Sequence, residues 1–235
     1  MNERHRGLGA VLLGLVCAMP VSAQETEEIV VTAMRRNEQG PPPLPAVTIR
    51  KRGDSLLQAV QITNDSRDAK QRAEELYATL RGLLQAAKRT PGLSLAWQRG
   101  FLIPLTDKDY RIPLADGDDR DDTNTVTVFL RYQLTPQTDV ASAVAVLERF
   151  TEAAKMEGRS DLEPLGDVAL SIVNPERYRP ELIAALAANV RELKKAFGDT
   201  CEVNVGNFAQ RLQWQRSDVS ELTLYLPYSL TVEGC

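Results

Sequence analysis

Apolar positions recur along the chain with two distinct spacings, which predict two kinds of element. Every second residue is apolar from Val126 through Val128 and Leu130 to Tyr132, as in a strand that buries one face. Similar strand-like segments are residues 46–52, 55–63, 93–105, 123–134 and 165–173. Elsewhere the apolar residues recur every three or four positions, the spacing of an amphipathic helix. The helix-like segments are residues 66–89, 139–157 and 174–197.

The end of the chain predicts a two-stranded ribbon. Residues 202–215 and 221–233 are strand-like, with a turn centred on Asp218. This register places Cys201 opposite Cys235. The other expected pairs are Phe208 with Tyr228, Leu212 with Leu224, and Trp214 with Leu222. We therefore expect a disulfide at the open end, worth roughly 3 to 4 kcal/mol in the chain-entropy model, with two unpaired thiols as the alternative.

Together these segments give the element order ββαββ, αβ, αββ for residues 46–235. Strand pairs alternating with helices predict an α+β domain, in which three helices lie on one face of a largely antiparallel sheet. The length suffices for one buried core or for two small, closely packed lobes, and the pattern leaves both open.

Residues 1–23 have the three zones of a secretion signal. Arg4, His5 and Arg6 form a positive start, residues 8–16 are apolar, and residues 21–23 read Val-Ser-Ala. We expect cleavage after Ala23 and a periplasmic location. No later segment approaches the ~20 apolar residues that a helical crossing needs, so we expect no transmembrane segment in the mature chain.

Removal of the signal changes both the charge and the available chemistry. It leaves 26 of the 28 basic residues and 31 of the 32 acidic ones, a net charge near −5 that argues against nucleic acid as a partner. It also removes His5, the single histidine. Histidine-dependent catalysis and histidine-ligated metals are thereby excluded, and we assign no catalytic residue, metal or cofactor.

Three alternatives to a docking role remain open. Asp107, Asp109 and Tyr110 lie in one expected loop and could serve a periplasmic hydrolase that works with carboxylates. The run DGDDRDDT at residues 116–123 offers oxygen ligands for Ca²⁺, although its order does not match a calcium loop and a solvated loop is the simpler interpretation. A structural module that only self-assembles is the third interpretation.

Residues 27–36, EEIVVTAMRR, have the character of an extended peptide that seeks a sheet edge. Ile29, Val30 and Val31 are β-branched and stand between acidic residues and two arginines. The expected partner-binding residues are Glu28, Ile29, Val30, Val31, Thr32 and Ala33. Residues 37–45, NEQGPPPLP, form a stiff spacer, so residues 24–45 are expected to precede the folded domain as a tag and a linker.

The folded part from residue 46 onward resembles the SIMPL-domain proteins of the bacterial envelope. The likeness is carried by SRDAKQRAEEL at residues 66–76 and by the closing unit. In that unit, an alanine-rich helix runs through Phe197 and Gly198 into EVNV at residues 202–205 and a final strand at 222–232. The opening strand V-x-G-x-G of the family is replaced here by VTIRKRG. The resemblance implies an envelope location and ring-like self-assembly, and it supplies no active-site residues.

The peptide EIVVTA at residues 28–33, followed by Arg35 and Arg36, resembles the TonB box of TonB-dependent outer-membrane receptors. The box implies strand pairing with the periplasmic domain of the energy-transducing protein. The roughly 210 residues after the signal cannot supply a receptor's plug and barrel. We therefore expect a non-enzymatic envelope protein that works through protein contacts, by self-assembly or by docking a TonB-type partner.

Overall fold

The structure is a computed structural model that describes residues 28–31, 44–117, 122–198 and 200–235. Its three α-helices are α1 (Ala69–Lys88), α2 (Val140–Glu152) and α3 (Arg179–Phe197). Its first six strands are β1 (Glu28–Val31), β2 (Ile49–Arg52), β3 (Ser55–Asn64), β4 (Leu93–Arg99), β5 (Phe101–Pro104) and β6 (Ala115–Asp116). The others are β7 (Asn124–Gln133), β8 (Ser160–Val173), β9 (Glu202–Gly206), β10 (Gln213–Arg216), β11 (Glu221–Tyr225) and β12 (Ser229–Glu233).

A large antiparallel sheet dominates this part of the chain. Its strand order is β1-β8-β3-β7-β4-β5, and the short β6 pairs with β7. A second sheet has the order β10-β11-β2, and β12 pairs with β9. The strand pairs described are all antiparallel. The predicted α+β fold with three helices is confirmed.

The main core lies between the large sheet and the helices α1 and α2. On β3, Leu56, Val60 and Ile62 are fully buried, as the period of two requires. They meet Leu76 and Leu80, which recur at the helical spacing on α1. This alternation on β3 and the stripe on α1 explain why helix and sheet bury these faces against each other.

A smaller apolar cluster involves other residues of the large sheet. Its buried members come from four strands: Leu57, Ala96, Leu102 and Ala169. Val30 and Phe129 pack against them, partly buried. Because Val30 belongs to β1 and Leu102 to β5, the two end strands of the sheet share one cluster. The sheet must therefore curve enough to bring its ends together.

Gly53 and Asp54 connect the two larger sheets. The sequence predicts a turn between two strands here, but β2 pairs with β11 whereas β3 pairs with β7 and β8. The Gly53 amide donates to the Ser220 carbonyl at 2.9 Å, and the Asp54 amide donates to the Ser171 carbonyl at 2.8 Å. A Cβ on Gly53 would lie 2.3 Å from Leu170 Cδ1, so the crossing needs glycine.

The helix ends differ by a few residues from those expected. The cap of α1 is Asp68, whose side chain accepts from the Gln71 amide at 2.8 Å, so the helix begins at Ala69 instead of residue 66. The expected cap Asp139 does begin α2, which ends at Glu152 instead of residue 157. A 3₁₀ turn, Pro175–Tyr178, precedes α3, and Gly198 follows it as expected. These shifts of a few residues are normal where caps compete.

Two expected strands are divided in the structure. Residues 93–105 form the hairpin β4–β5, which turns at Gly100 with φ +78°. The closing ribbon separates into β10–β11 and β9–β12. Trp214 therefore faces Leu224 instead of Leu222, and Val203 faces Val232 instead of Glu233. The expected disulfide between Cys201 and Cys235 is present, with 4.6 Å between the Cα atoms.

In the part of the chain that the structure describes, no helix is both long enough and apolar enough to cross a membrane.

Candidate partner-docking site

The segment expected to bind a partner is a strand in the structure. Residues 28–31 form β1, which pairs with the end of β8 along one edge. Glu28 lies opposite Val173, Ile29 opposite Ile172, Val30 opposite Ser171 and Val31 opposite Leu170. The other two expected binding residues, Thr32 and Ala33, lie outside the described residues. The segment is therefore extended, and its own sheet already provides one partner strand.

Val30 fixes β1 to the body of the domain. Its side chain is partly buried and packs on the cluster that contains Leu57, Leu102 and Ala169. Full burial of a valine side chain is worth roughly 1.5 kcal/mol or more, so a half-buried valine contributes on the order of 1 kcal/mol. Together with the backbone hydrogen bonds to β8, this contact holds the strand in register.

β1 is the end strand of the large sheet. One of its edges pairs with β8. None of the strands in the described residues pairs with the opposite edge, although β5, at the other end of the sheet, lies close to β1. The backbone groups on that second edge are a template for a further strand, and natural proteins leave such an edge open only when it is short or protected. The sequence pattern predicts an edge strand at these residues, but it does not predict that this strand pairs with residues 170–173 of the same chain.

A polar cleft of about 520 Å³ lies beside the outer end of β1. It is lined by Asp54, Ser55, Arg131, Val173 and Arg177, among others. The carboxylate of Asp54 accepts from the Val173 amide at 2.7 Å and pairs with Arg177 at 3.0 Å. Arg131 Nε donates to Ser55 Oγ at 3.0 Å. Since Glu28 faces Val173, the cleft adjoins the point where β1 begins.

Of the three residues considered for hydrolysis, Asp107 and Tyr110 contact α1 and Asp109 contacts a neighbour in its own loop. Asp107 pairs with Lys88 and accepts from Gln85 at 3.0 Å, and Asp109 accepts from Thr106 at 2.9 Å. Tyr110 accepts from Arg81, whose hydrogen bond and charge lower the pKa of the phenol. None of the three lines the polar cleft or the two larger cavities described below. Each carboxylate thus has an ordinary structural partner.

Carboxylates that the sequence analysis did not single out line a second cavity, of about 650 Å³, between α2 and β8. They are Glu148, Glu152, Asp161 and Asp167. Within the described residues, no three His, Cys, Asp or Glu side chains are grouped closely enough to hold a metal ion. Of the aspartate run at 116–123, Asp118, Asp119 and Asp121 lie outside the described residues, as does the signal at 1–23.

Comparison with known proteins adds little. No family model matches the chain, and no curated protein matches it. Among solved structures, the chain is similar to an uncharacterized conserved protein from Listeria innocua, with 16% identity over 78% of this chain and 92% of the other. The TM-score of that pair is 0.14, which is too low to carry an argument about fold or function.

Proposed function

We propose that this protein is a non-enzymatic envelope protein in which residues 28–33 act as a docking strand for a TonB-type periplasmic domain, displayed by a SIMPL-like domain at 46–235. The observation that carries the proposal is that residues 28–31 form the end strand of the large sheet with one edge unpaired among the described strands. The proposed periplasmic location is supported by the signal-like residues 1–23.

In the proposed complex, a strand of the partner pairs with the free edge of β1 and extends the sheet across the interface. Strand addition needs mainly backbone donors and acceptors, which suits a short valine-rich segment. β1 keeps its pairing with β8, whereas β5, which lies next to β1 without pairing to it, must make room for the added strand. Complete release of β1 would instead cost the buried valine surface and four residues of strand pairing.

The surroundings of Asp107 and Asp109 favour a protein-contact role over a hydrolase that uses these two carboxylates. Asp107 and Asp109 are engaged by Lys88 and Thr106 and line none of the three cavities, whereas a hydrolase needs acids and bases that converge on one cavity. The four carboxylates that line the cavity between α2 and β8 are a separate set. Self-assembly is a second element of the proposal, because the same free edge on β1 can accept a strand from another copy. Light scattering after size-exclusion chromatography distinguishes a ring from a monomer.

The test measures binding of residues 24–235 to a purified C-terminal periplasmic domain of a TonB protein. Replacing Ile29, Val30 and Val31 by lysine, or in a second variant by proline, should abolish binding because both changes remove edge pairing. The control variant is Val219→Lys, an exposed turn residue in the second sheet's hairpin, which should bind normally. Unchanged binding by the triple variants would show that this strand does not bind the TonB-type domain.

A further inference from the structure

A groove of about 620 Å³ runs between α1 and α2, where Gly82, Arg89 and Arg149 are exposed. Gly82 and Ala86 line it from α1, Arg89 lines it at the end of that helix, and Arg149 and Phe150 line it from α2. Gly82, Ala86 and the C-cap residue Arg89 are spaced by four and three positions, so they lie along one side of the helix. None of these residues belongs to the proposed docking strand, and the groove is independent of that proposal.

Gly82 has no internal reason to be glycine. It lies in the interior of a 20-residue helix, where glycine costs about 1 kcal/mol relative to alanine. A Cβ built on it would meet nothing within 4 Å, so neither packing nor backbone geometry of this chain requires its absence. Glycine at such a position lets another backbone approach closely. Ala86, one helical turn later, also has a small side chain and lines the same groove.

The floor of the groove is apolar. Leu83 is buried, and Phe150 and Ala154 are half-buried against the main core. The floor therefore already belongs to a rigid, well-packed part of the domain. An apolar side chain laid into the groove would gain contact with these groups at little cost in reorganisation.

The rim of the groove is basic. Arg89, Arg149 and Lys155 line it with one acidic residue, Glu157. Within the described residues, no side-chain partner is seen for Arg89 or Lys155, while Arg149 Nε donates to the Ala145 carbonyl. The three cations thus give the rim a net positive charge, although the whole chain is acidic with a net charge of −4.

The basic groups are spread along the groove rather than gathered at one end. Arg89 immediately follows α1, whereas Lys155 lies two residues before Glu157, whose amide donates to Thr79 Oγ1 at 3.0 Å. Thr79 and Arg89 are separated by ten helical residues, on the order of 15 Å at the helical rise. A ligand with a single anionic head would reach one end of this rim, whereas an anionic helix would reach both.

We propose that the α1–α2 groove binds an amphipathic helix of a partner protein that carries small and apolar residues on one face and acidic residues beside it. The helix backbone passes over Gly82 and Ala86, its apolar side chains reach Leu83 and Phe150, and its carboxylates pair with the basic rim. This is helix-in-groove recognition with charge complementarity.

The experiment uses the folded mature protein, residues 24–235, and a fluorescein-labelled model peptide. The peptide is about 18 residues long so that it forms a helix, with leucine and alanine on one face and glutamate on the flanks. A second peptide has lysine in place of glutamate, and myristate serves as a single-headed competitor. Fluorescence anisotropy reports binding, and circular dichroism reports the helicity of the bound peptide.

Gly82→Leu is the decisive variant. It fills the groove with a good helix former where a Cβ meets open space, so the fold should be retained and the glutamate peptide should bind at least about tenfold more weakly. Arg89→Glu with Lys155→Glu should also weaken it about tenfold or more. The matched control is Lys195→Glu on exposed α3, with normal binding.

The proposal is overturned if the glutamate peptide does not bind, if the lysine peptide binds equally well, or if Gly82→Leu leaves the affinity unchanged while thermal melting shows a folded protein. Binding of myristate alone would also overturn it, since the groove would then be a lipid site. Selective binding of the glutamate peptide, lost in both variants and kept in the control, supports it.

Discussion

The carboxylate of Glu75 occupies the space that a side chain at Gly158 would need. A Cβ on Gly158 would lie 2.0 Å from Glu75 Cδ, and Gly158 also has φ +59°. Glu75 accepts from Asn64, Ser66, Gln71 and the Arg159 amide, at 2.7 to 3.0 Å. This pair of residues joins the end of β3, the start of α1 and the segment that leads into β8.

Gly158→Ala should therefore lower the free energy of unfolding by about 2 kcal/mol or more, from a strained backbone and from displacement of Glu75. Gly166→Ala is a matched control, because Gly166 has φ +60° and a Cβ there would meet nothing within 4 Å. Urea unfolding of both variants measures the difference. Equal losses would mean that only the backbone angle matters and that the contact with Glu75 is unimportant.

Stability should also depend on pH through Glu75. The hydrogen bond from the Arg159 amide, followed by those from Asn64, Ser66 and Gln71, lowers the pKa of Glu75 to about 2 from an ordinary value near 4.5. Because the folded pKa lies below the unfolded one, the carboxylate's contribution is complete above the ordinary pKa. It is lost as the pH falls from about 4.5 through 2.

Acid titration of the unfolding free energy measures this loss, and Glu75→Gln provides the comparison. The variant should be less stable near neutral pH and should show a flatter decline between pH 4.5 and 2. If the wild type and the variant declined in parallel over that interval, the hydrogen bonds to Glu75 would not depend on its charge.

Gly82→Ala should raise the melting temperature. Glycine costs a helix about 1 kcal/mol relative to alanine, and the added methyl group would meet no atom within 4 Å. For a domain of this size, a gain of about 1 kcal/mol raises the melting temperature by roughly 2 to 4 °C. Differential scanning calorimetry measures the shift. A lower melting temperature would show that the glycine serves the packing of this chain, which would weaken the argument for an external occupant of the groove.

Loss of the Cys201–Cys235 disulfide should destabilise the closing strands. Its loop spans 34 residues, and the chain-entropy model gives roughly 3 to 4 kcal/mol for such a loop. The double variant Cys201→Ser, Cys235→Ser should unfold at lower urea concentration than the oxidised protein and at the same concentration as the reduced one. Equal stability of all three forms would mean that β9 and β12 hold together without the bond.

A cross-link between β1 and β8 tests whether the partner pairs with β1 in its place in the sheet or only after β1 has left β8. Ile29 and Ile172 lie directly opposite each other, where Cα atoms are about 4.5 to 5.5 Å apart and a disulfide fits. The oxidised Ile29→Cys, Ile172→Cys protein should still bind the TonB-type domain if the partner adds to the free edge. Binding only after reduction would show that β1 must first leave its own sheet.

The sequence predicted local elements better than their pairing. The period of two on β3 and β7 and the apolar stripe on α1 placed these elements within a few residues. The register of the closing ribbon was wrong, because Asn207, with φ +64°, introduces a turn that divides the ribbon. A single asparagine gives little sequence signal for such a turn.

The sites were harder to predict than the elements. The pairing of β1 with residues 170–173 joins segments far apart in sequence, and no local pattern encodes it. The same is true of the α1–α2 groove, which forms only when two helices pack. Gly82 was the one local hint, since glycine inside a helical pattern needs a reason.

The position of β1 has a kinetic consequence. Its pairing partner in β8 follows roughly 140 residues later in the chain, which is the longest sequence separation among the strand pairs described in the large sheet. We therefore expect this pairing to form late in folding. During synthesis the valine-rich segment is therefore complete before its own edge exists. Under the proposed docking function, the rates of pairing with β8 and with a foreign sheet edge compete, so the abundance of a partner while the chain folds would influence the final complex.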